Sequence, residues 1–274
     1  MIDKKGIVTI AGAGPGDPEL LTLKVLKRLQ DADVVLHDSL ISKEILKLVP
    51  DDAETVNVGK RCGDGQDQEK RQERINAMMI GYALEGKYCV RLKAGDPFVF
   101  GRGVEEVRAL MEKGIEAEVI PGITAGLAAA NMLQIPVTER NRTSSLLFCT
   151  GHTASYSFEQ FQGVLALLRE GSPVVMYMGM KNFETIVNRL LDARLPVSLQ
   201  VSIVSKVSLC DQKVITGMLE TIGDVIREQD IETPAVFFIG EHTLPVKELF
   251  STSAGILNTS EQKEDNEEMY RQEL

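Results

Sequence analysis

Asp96 lies between Gly95 and Pro97 in the run Arg91-Leu92-Lys93-Ala94-Gly95-Asp96-Pro97-Phe98-Val99-Phe100-Gly101-Arg102-Gly103, where an apolar strand stops abruptly in small residues. A carboxylate placed in this way accepts hydrogen bonds from the hydroxyls or ammonium of a ligand, and Arg102 offers a fork that binds carboxylates in bidentate fashion. Pro97 biases Asp96 away from helical angles, while Gly95, Gly101 and Gly103 permit close backbone approach, so the loop has a defined shape. Loops of this kind at the carboxyl end of a strand line ligand crevices in α/β proteins. An ordinary strand-to-helix turn accounts equally for this run taken alone. Asp96 as N-cap of the segment after Gly103 is disfavoured by the distance between them.

A second loop, Ile10-Ala11-Gly12-Ala13-Gly14-Pro15-Gly16-Asp17-Pro18, follows an apolar run and precedes a helical pattern from Glu19. Its glycines superficially suggest a dinucleotide fingerprint. The glycine needed three positions after Gly14 is absent, however, and Asp17 stands there. Pro15 also removes an amide that would cradle a pyrophosphate, and Asp17 would repel one. A nicotinamide or flavin site is therefore rejected.

The elements that must hold these loops alternate. Strand-like runs at 7–10, 34–37, 89–92 and 118–120 are separated by helical patterns at 19–30, 43–48, 68–84 and 104–113. This order predicts crossover connections and a mostly parallel sheet. After Pro121-Gly122 an alanine-rich helix runs to about 133, followed by strands at 146–150, 174–178, 201–207, 213–216 and 235–239. The last three read as partly antiparallel, because a short turn around Cys210-Asp211 joins two of them. The expected fold class is α/β, with two α/β domains at 1–122 and 123–250 and a ligand cleft between them. Residues 251–274 read as a disordered acidic tail.

Composition narrows the function. A net charge of −10 argues against nucleic acid, which needs a basic stripe. With 43% hydrophobic residues, and no apolar run near the ~18 residues that span a bilayer, a cytoplasmic protein without a membrane partner is expected. Cys62, Cys89, Cys149 and Cys210 have no paired spacing and only three histidines accompany them, so neither a disulfide nor a metal is expected. Cys89 and Cys149 read as buried thiols.

Six motifs in order carry a family resemblance: Gly12 to Pro18, Val58-Gly59-Lys60-Arg61, Arg91 to Gly103, Pro121-Gly122-Ile123-Thr124-Ala125, Thr150-Gly151-His152 and Tyr177-Met178-Gly179. Together they resemble the uroporphyrinogen III C-methyltransferase family, tetrapyrrole methylases that use S-adenosyl-L-methionine and release S-adenosyl-L-homocysteine. The match runs from about residue 6 to about residue 250. The resemblance implies two α/β domains with cofactor and substrate in the cleft, and a homodimer. It further implies two methylations of uroporphyrinogen III to precorrin-2, which leads to sirohaem and cobalamin. A methylase of a later corrinoid intermediate and a non-catalytic ligand sensor are the alternatives.

The resemblance places the cofactor at Pro15, Ala94, Gly95, Asp96, Val99, Thr124, Ala125, Met178 and Val207. Met178 fits a core thioether nearly as well. Relatives often have glycine at the positions of Ala94, Val104 and Val207; alanine at positive φ would be strained, so ordinary angles are expected at Ala94. Arg102, Glu105 and Arg140 are implied to contact the tetrapyrrole, whose carboxylates require a local basic surface. Each of the three also fits a plain surface charge. Glu139 stands where relatives often have histidine.

Methyl transfer to a pyrrole carbon must be followed by loss of a proton, so a base should lie near the acceptor. The family assigns Asp38 as proton acceptor and Lys60 as donor. Arg102 as a base has less physical appeal because guanidinium stays protonated. An Asx-type turn with Ser39 is the competing reading of Asp38, and His37 either orients it or packs.

Overall fold

The computed structural model describes residues 6–59, 67–151, 158–229 and 231–248, the side chains of 158–160 excepted. Strands β1 (Ile7–Gly12), β2 (Val34–His37), β3 (Glu54–Asn57), β4 (Cys89–Lys93) and β5 (Glu116–Ile120) form a sheet in the order β3-β2-β4-β1-β5. Every pairing in it is parallel. A parallel sheet needs crossovers, and these are α1 (Leu23–Gln30), α2 (Lys43–Leu46), α3 (Gln68–Leu84) and α4 (Gly103–Met111).

Strand alternation sorts the core. Ala11, Val35, Val90 and Leu92 pack with Val25, Leu29 and Ile45 of α1 and α2. Val8, Ile10, Leu36 and Cys89 pack with Ile75, Met79 and Leu110 of α3 and α4 on the other face. Arg91 and Lys93, two and four residues beyond Cys89, therefore enter the same buried layer as α3 and α4.

The second sheet comprises β6 (Leu147–Thr150), β7 (Val174–Tyr177), β8 (Gln200–Ser205), β9 (Lys213–Met218) and β10 (Ala235–Gly240), in the order β6-β7-β10-β8-β9. Only β6 and β7 run parallel; the β8–β9 turn makes that pair antiparallel, as its length requires. Helices α6 (Phe158–Arg169), α7 (Phe183–Asp192) and α8 (Ile222–Glu228) lie along the chain between these strands. The opposite face, through Val175, Val204, Val236 and Phe238, takes α5 (Ala125–Met132) with Ala128, Ala129 and Ala130. Small alanines let that helix sit close to the strands.

The structure corrects several sequence boundaries. The helix expected over 19–30 is a 3₁₀ turn at Pro18–Leu20 followed by α1, because Asp17 caps the first piece and Thr22 caps the second at Val25 N. The strands expected to reach 178 and 207 stop at Tyr177 and Ser205, where Met178 and Lys206 take φ of 56° and 50°. Strand β3 was not anticipated, since Glu54, Thr55 and Asn57 are exposed on a sheet edge and give no apolar run. Cys89 and Cys149 are buried as expected, whereas Cys62 and residues 251–274 lie outside the described residues. No helix among the described residues is long and apolar enough to cross a membrane.

Glu118 of β5 ties α1 to the sheet. Arg28 donates to it from Nε at 2.6 Å and Nη2 at 3.1 Å, and Lys24 Nζ lies 2.8 Å away. The Arg28 hydrogen bond, against some desolvation and helped by Lys24, lowers the Glu118 carboxyl from 4.5 to about 2. With Lys24 largely in solvent, the pair contributes about 2 kcal/mol at neutral pH. The sign follows from the lowered value: the contribution is complete above pH 4.5 and disappears as pH falls toward 2. Glu118→Gln is therefore expected to cost about 2 kcal/mol in urea unfolding at pH 7, with the gap closing near pH 2. An equal gap at both pH values would refute this assignment.

Candidate active site

Three loops meet at the carboxyl edge of the parallel sheet, from the adjacent strands β4, β1 and β5. Gly14 and Gly95 exchange backbone hydrogen bonds of 3.1 and 2.8 Å, and Ala13 N donates to Lys93 O at 2.7 Å. A Cβ on Gly122 would lie 2.2 Å from Gly95 O, and one on Gly12 would lie 2.5 Å from Gly122 N. These contacts exclude any side chain, so glycine is required at both positions. Gly95 takes φ of 66°, and Ala94 is not among the positive-φ residues, as expected.

Asp96 closes this knot. Its Oδ1 accepts from Phe98 N at 2.9 Å and its Oδ2 from Gly122 N at 3.2 Å. An ionised carboxylate has about four acceptor sites, so two remain for a ligand. Arg102, not Asp96, is the N-cap residue of α4. Pro15 and Val99 are half-buried beside these loops.

Loop contacts also cross to the second sheet. Asp17 N donates to Ser208 Oγ at 3.0 Å, and a Cβ on Gly16 would lie 2.5 Å from Leu209 Cδ2. The turn carrying Val207 thus abuts the loop carrying Pro15. Val207 itself is 5% exposed among Val204, Phe238 and Ala128, which leaves its backbone rather than its side chain for any ligand. Met178 is 49% exposed, so the core-thioether reading fails. Thr124 is buried at the start of α5 and Ala125 half-buried beside it.

At the end of β2, Asp38 meets a buried charge cluster that the sequence reading did not assign. Arg91, 2% exposed, donates from Nη2 to Asp38 Oδ1 and from Nε to Glu106 Oε1 at 3.0 Å. Its Nη1 reaches the carbonyls of Leu36 and Leu92 at 3.3 and 3.1 Å. Lys93 Nζ at 3.2 Å and Gln72 Nε2 at 3.3 Å also donate to Glu106 Oε1, and Glu106 is fully buried. Burial alone would lower the Arg91 pKa, but Asp38 and Glu106 outweigh it and raise the value. The Asx-turn reading of Asp38 gives way to this contact: among the described residues its carboxylate is held by Arg91. His37 is buried, and its Nδ1 lies 2.9 Å from the Asp38 carbonyl, so it fixes the backbone.

The remaining assignments separate. A Cβ on Gly59 would lie 2.2 Å from Ser39 N, which brings the chain to the Asp38 turn one residue before Lys60. Lys60, Arg61 and His152 lie outside the described residues. Arg102 is paired with Glu105 through Nε at 2.9 Å and donates from Nη1 to Gln68 O at 3.0 Å. Arg140 is exposed on another loop, and nearby Glu139 pairs with Arg142 at 3.2 Å.

A parallel sheet with glycine-knotted loops at its carboxyl edge, abutted by the loops of a second mixed sheet, defines a two-lobed α/β ligand-binding protein. The chain belongs to the tetrapyrrole (corrin/porphyrin) methylases, whose family pattern matches residues 8–223. It is 39% identical over 236 residues to the uroporphyrinogen-III C-methyltransferase of Priestia megaterium, covering 86% of this chain and 98% of that one. It is 42% identical over 236 residues to a siroheme synthase of Pseudoalteromonas atlantica, covering 86% of this chain. The chain spans about half the length of that synthase (50%). The structure of uroporphyrin-III C-methyl transferase from Thermus thermophilus complexed with S-adenyl homocysteine is similar, with a TM-score of 0.71 and 33% identity over 86% of this chain and 98% of that one.

Proposed function

We propose that this chain is an S-adenosylmethionine-dependent C-methyltransferase that methylates uroporphyrinogen III twice, giving precorrin-2. The observation that carries this reading is the glycine knot with Asp96 at its centre, in a chain that aligns with nearly all of the Priestia megaterium enzyme. The active form is a cytoplasmic homodimer, and its lobes divide at residues 122 and 123.

The residues present fit the methyl donor. The knot of Gly12 and Gly122 holds Gly95 with its Cβ side open, Thr124 Cα at 3.9 Å being the nearest atom, so a ligand can lie against that backbone; Asp96 keeps acceptor sites for hydroxyl or ammonium, and exposed Met178 supplies an apolar wall. Pro15, Ala94, Val99, Thr124, Ala125 and the Val207 backbone complete the donor site. When bound, S-adenosylmethionine supplies an electrophilic methyl group on a sulfonium. The protein's task is then alignment, which is worth roughly 7–11 kcal/mol in well-oriented reactions.

Asp38 accepts the proton that the macrocycle must lose once its ring carbon has taken the methyl group. Arg91 holds its Oδ1, leaving Oδ2 without a partner among the described residues. Lys60 supplies a proton where the macrocycle tautomerises, and a second proton then leaves to solvent, so that each methylation releases one proton net. Arg102, Glu105 and Arg140 receive the tetrapyrrole, and a substrate carboxylate competes with Glu105 for the Arg102 fork.

Incubation of the purified chain with uroporphyrinogen III and S-adenosylmethionine is expected to add two methyl masses. Unchanged substrate from a folded sample that binds the donor would overturn the reading. Arg102→Ala is expected to raise the KM for uroporphyrinogen III about tenfold and to leave donor affinity alone. A change confined to the donor would move Arg102 out of the substrate site.

A further inference from the structure

We infer that Tyr177 is a positioning residue for the methyl donor, acting through Thr124; this rests on the donor site proposed above. The Tyr177 hydroxyl accepts a hydrogen bond from Gly126 N at 2.9 Å and shares a hydrogen with Thr124 Oγ1 at 2.8 Å. Gly126 N is one of the amides at the start of α5 that has no partner within the helix. An N-cap threonine ordinarily satisfies such an amide itself, and Thr124 has the required backbone angles, φ −68° and ψ 143°, yet makes no side-chain cap bond. The cap is borrowed from β7, and the Thr124 hydroxyl is turned toward Tyr177 instead of its own helix.

The arrangement is built for close approach. A Cβ on Gly126 would lie 2.5 Å from the Tyr177 hydroxyl oxygen and 2.6 Å from Val175 Cγ1, so glycine is what admits the phenol. Burial raises the Tyr177 pKa despite the hydrogen bonds from Thr124 and Gly126, which keeps the hydroxyl protonated. Phe100 packs on the Tyr177 ring at 5.0 Å between centroids, and Phe148 meets it edge-on at 6.0 Å. Phe100 comes from the β4 loop and adopts φ of 50°, a costly angle for an aromatic residue.

Tyr177 therefore joins three segments that each carry proposed donor contacts. Val99 precedes Phe100, Thr124 and Ala125 open α5, and Met178 follows Tyr177 itself. One hydroxyl and one ring fix the relative positions of all three.

The test is calorimetric titration of S-adenosylhomocysteine into wild type, Tyr177→Phe, Thr124→Ala and the double variant, with steady-state kinetics alongside. Tyr177→Phe is expected to weaken binding about tenfold and to raise the donor KM by a similar factor, as loss of a helix cap implies. Its kcat at saturating donor should stay within about twofold of wild type. The double variant should bind less weakly than the product of the two single effects, because both remove the bond between Tyr177 and Thr124. Wild-type affinity in Tyr177→Phe, a lower kcat with unchanged KM, or multiplying effects in the double variant would each overturn the inference. Wild type that takes up no S-adenosylhomocysteine would instead overturn the donor site itself, and this inference with it.

Discussion

Replacing Glu106 by alanine is expected to destabilise the protein by about 3–5 kcal/mol, the largest stability loss anticipated for a residue outside the hydrophobic core. Three donors converge on its Oε1, from Arg91, Lys93 and Gln72, while Arg91 and Lys93 are 2% and 6% exposed. With Glu106 present, two cations face two carboxylates, those of Asp38 and Glu106. Without it, an ammonium and most of a guanidinium remain buried against one partly exposed acid, and no water shell replaces the lost charge. Urea unfolding followed by circular dichroism reads this directly. A loss below 1 kcal/mol would mean that solvent reaches the cluster and that the buried charges are not mutually dependent.

The same cluster has an informative control. Replacing a buried ionic group as a set by apolar side chains of similar volume is often neutral. Arg91→Met, Lys93→Met and Glu106→Leu together should therefore recover much of the stability that Glu106→Ala loses. Activity should stay low, because Asp38 has lost the guanidinium that fixes Oδ1. Stability and catalysis would then separate in one variant.

Much of this cluster was legible before the fold was known, through a signal easily passed over. Strand β4 reads Cys-Val-Arg-Leu-Lys, and the period of two puts Arg91 and Lys93 on the face of Cys89. In α4, Gly103, Glu106 and Leu110 recur at helical spacing as the buried stripe, so Glu106 falls on the apolar face. Two cations on a buried strand face opposite an acid on a buried helix face predict an internal ion cluster. The defined backbone shape of the loops was legible because glycine and proline restrict backbone angles locally. Tyr177 was hidden for the opposite reason: its hydroxyl bonds residues 53 and 51 positions away, and no local pattern encodes a cap supplied by a distant strand. The exposed edge strand β3 was missed because hydrogen bonding to β2, rather than apolar alternation, defines it.

Asp38→Asn is expected to lower kcat by about 10²–10⁴-fold, the usual worth of a positioned general base. The substitution is chosen for what it preserves. An asparagine oxygen still accepts from Arg91 Nη2, and the backbone bonds that hold the turn, Asp38 N to Leu92 O and Ile41 N to Asp38 O, do not involve the side chain. S-adenosylhomocysteine affinity should therefore match wild type, since the donor loops end β1, β4 and β5 rather than β2, whereas urea stability should fall because buried Arg91 loses the charge of one of its two partners. His37→Phe serves as the companion, because His37 touches the Asp38 carbonyl and not its carboxylate. Its kcat should change by no more than about tenfold, the cost of one neutral hydrogen bond. Product formation at saturating donor and uroporphyrinogen III distinguishes the two. If Asp38→Asn keeps kcat within tenfold of wild type, proton removal belongs to another group, and the charge cluster behind Asp38 serves the fold alone.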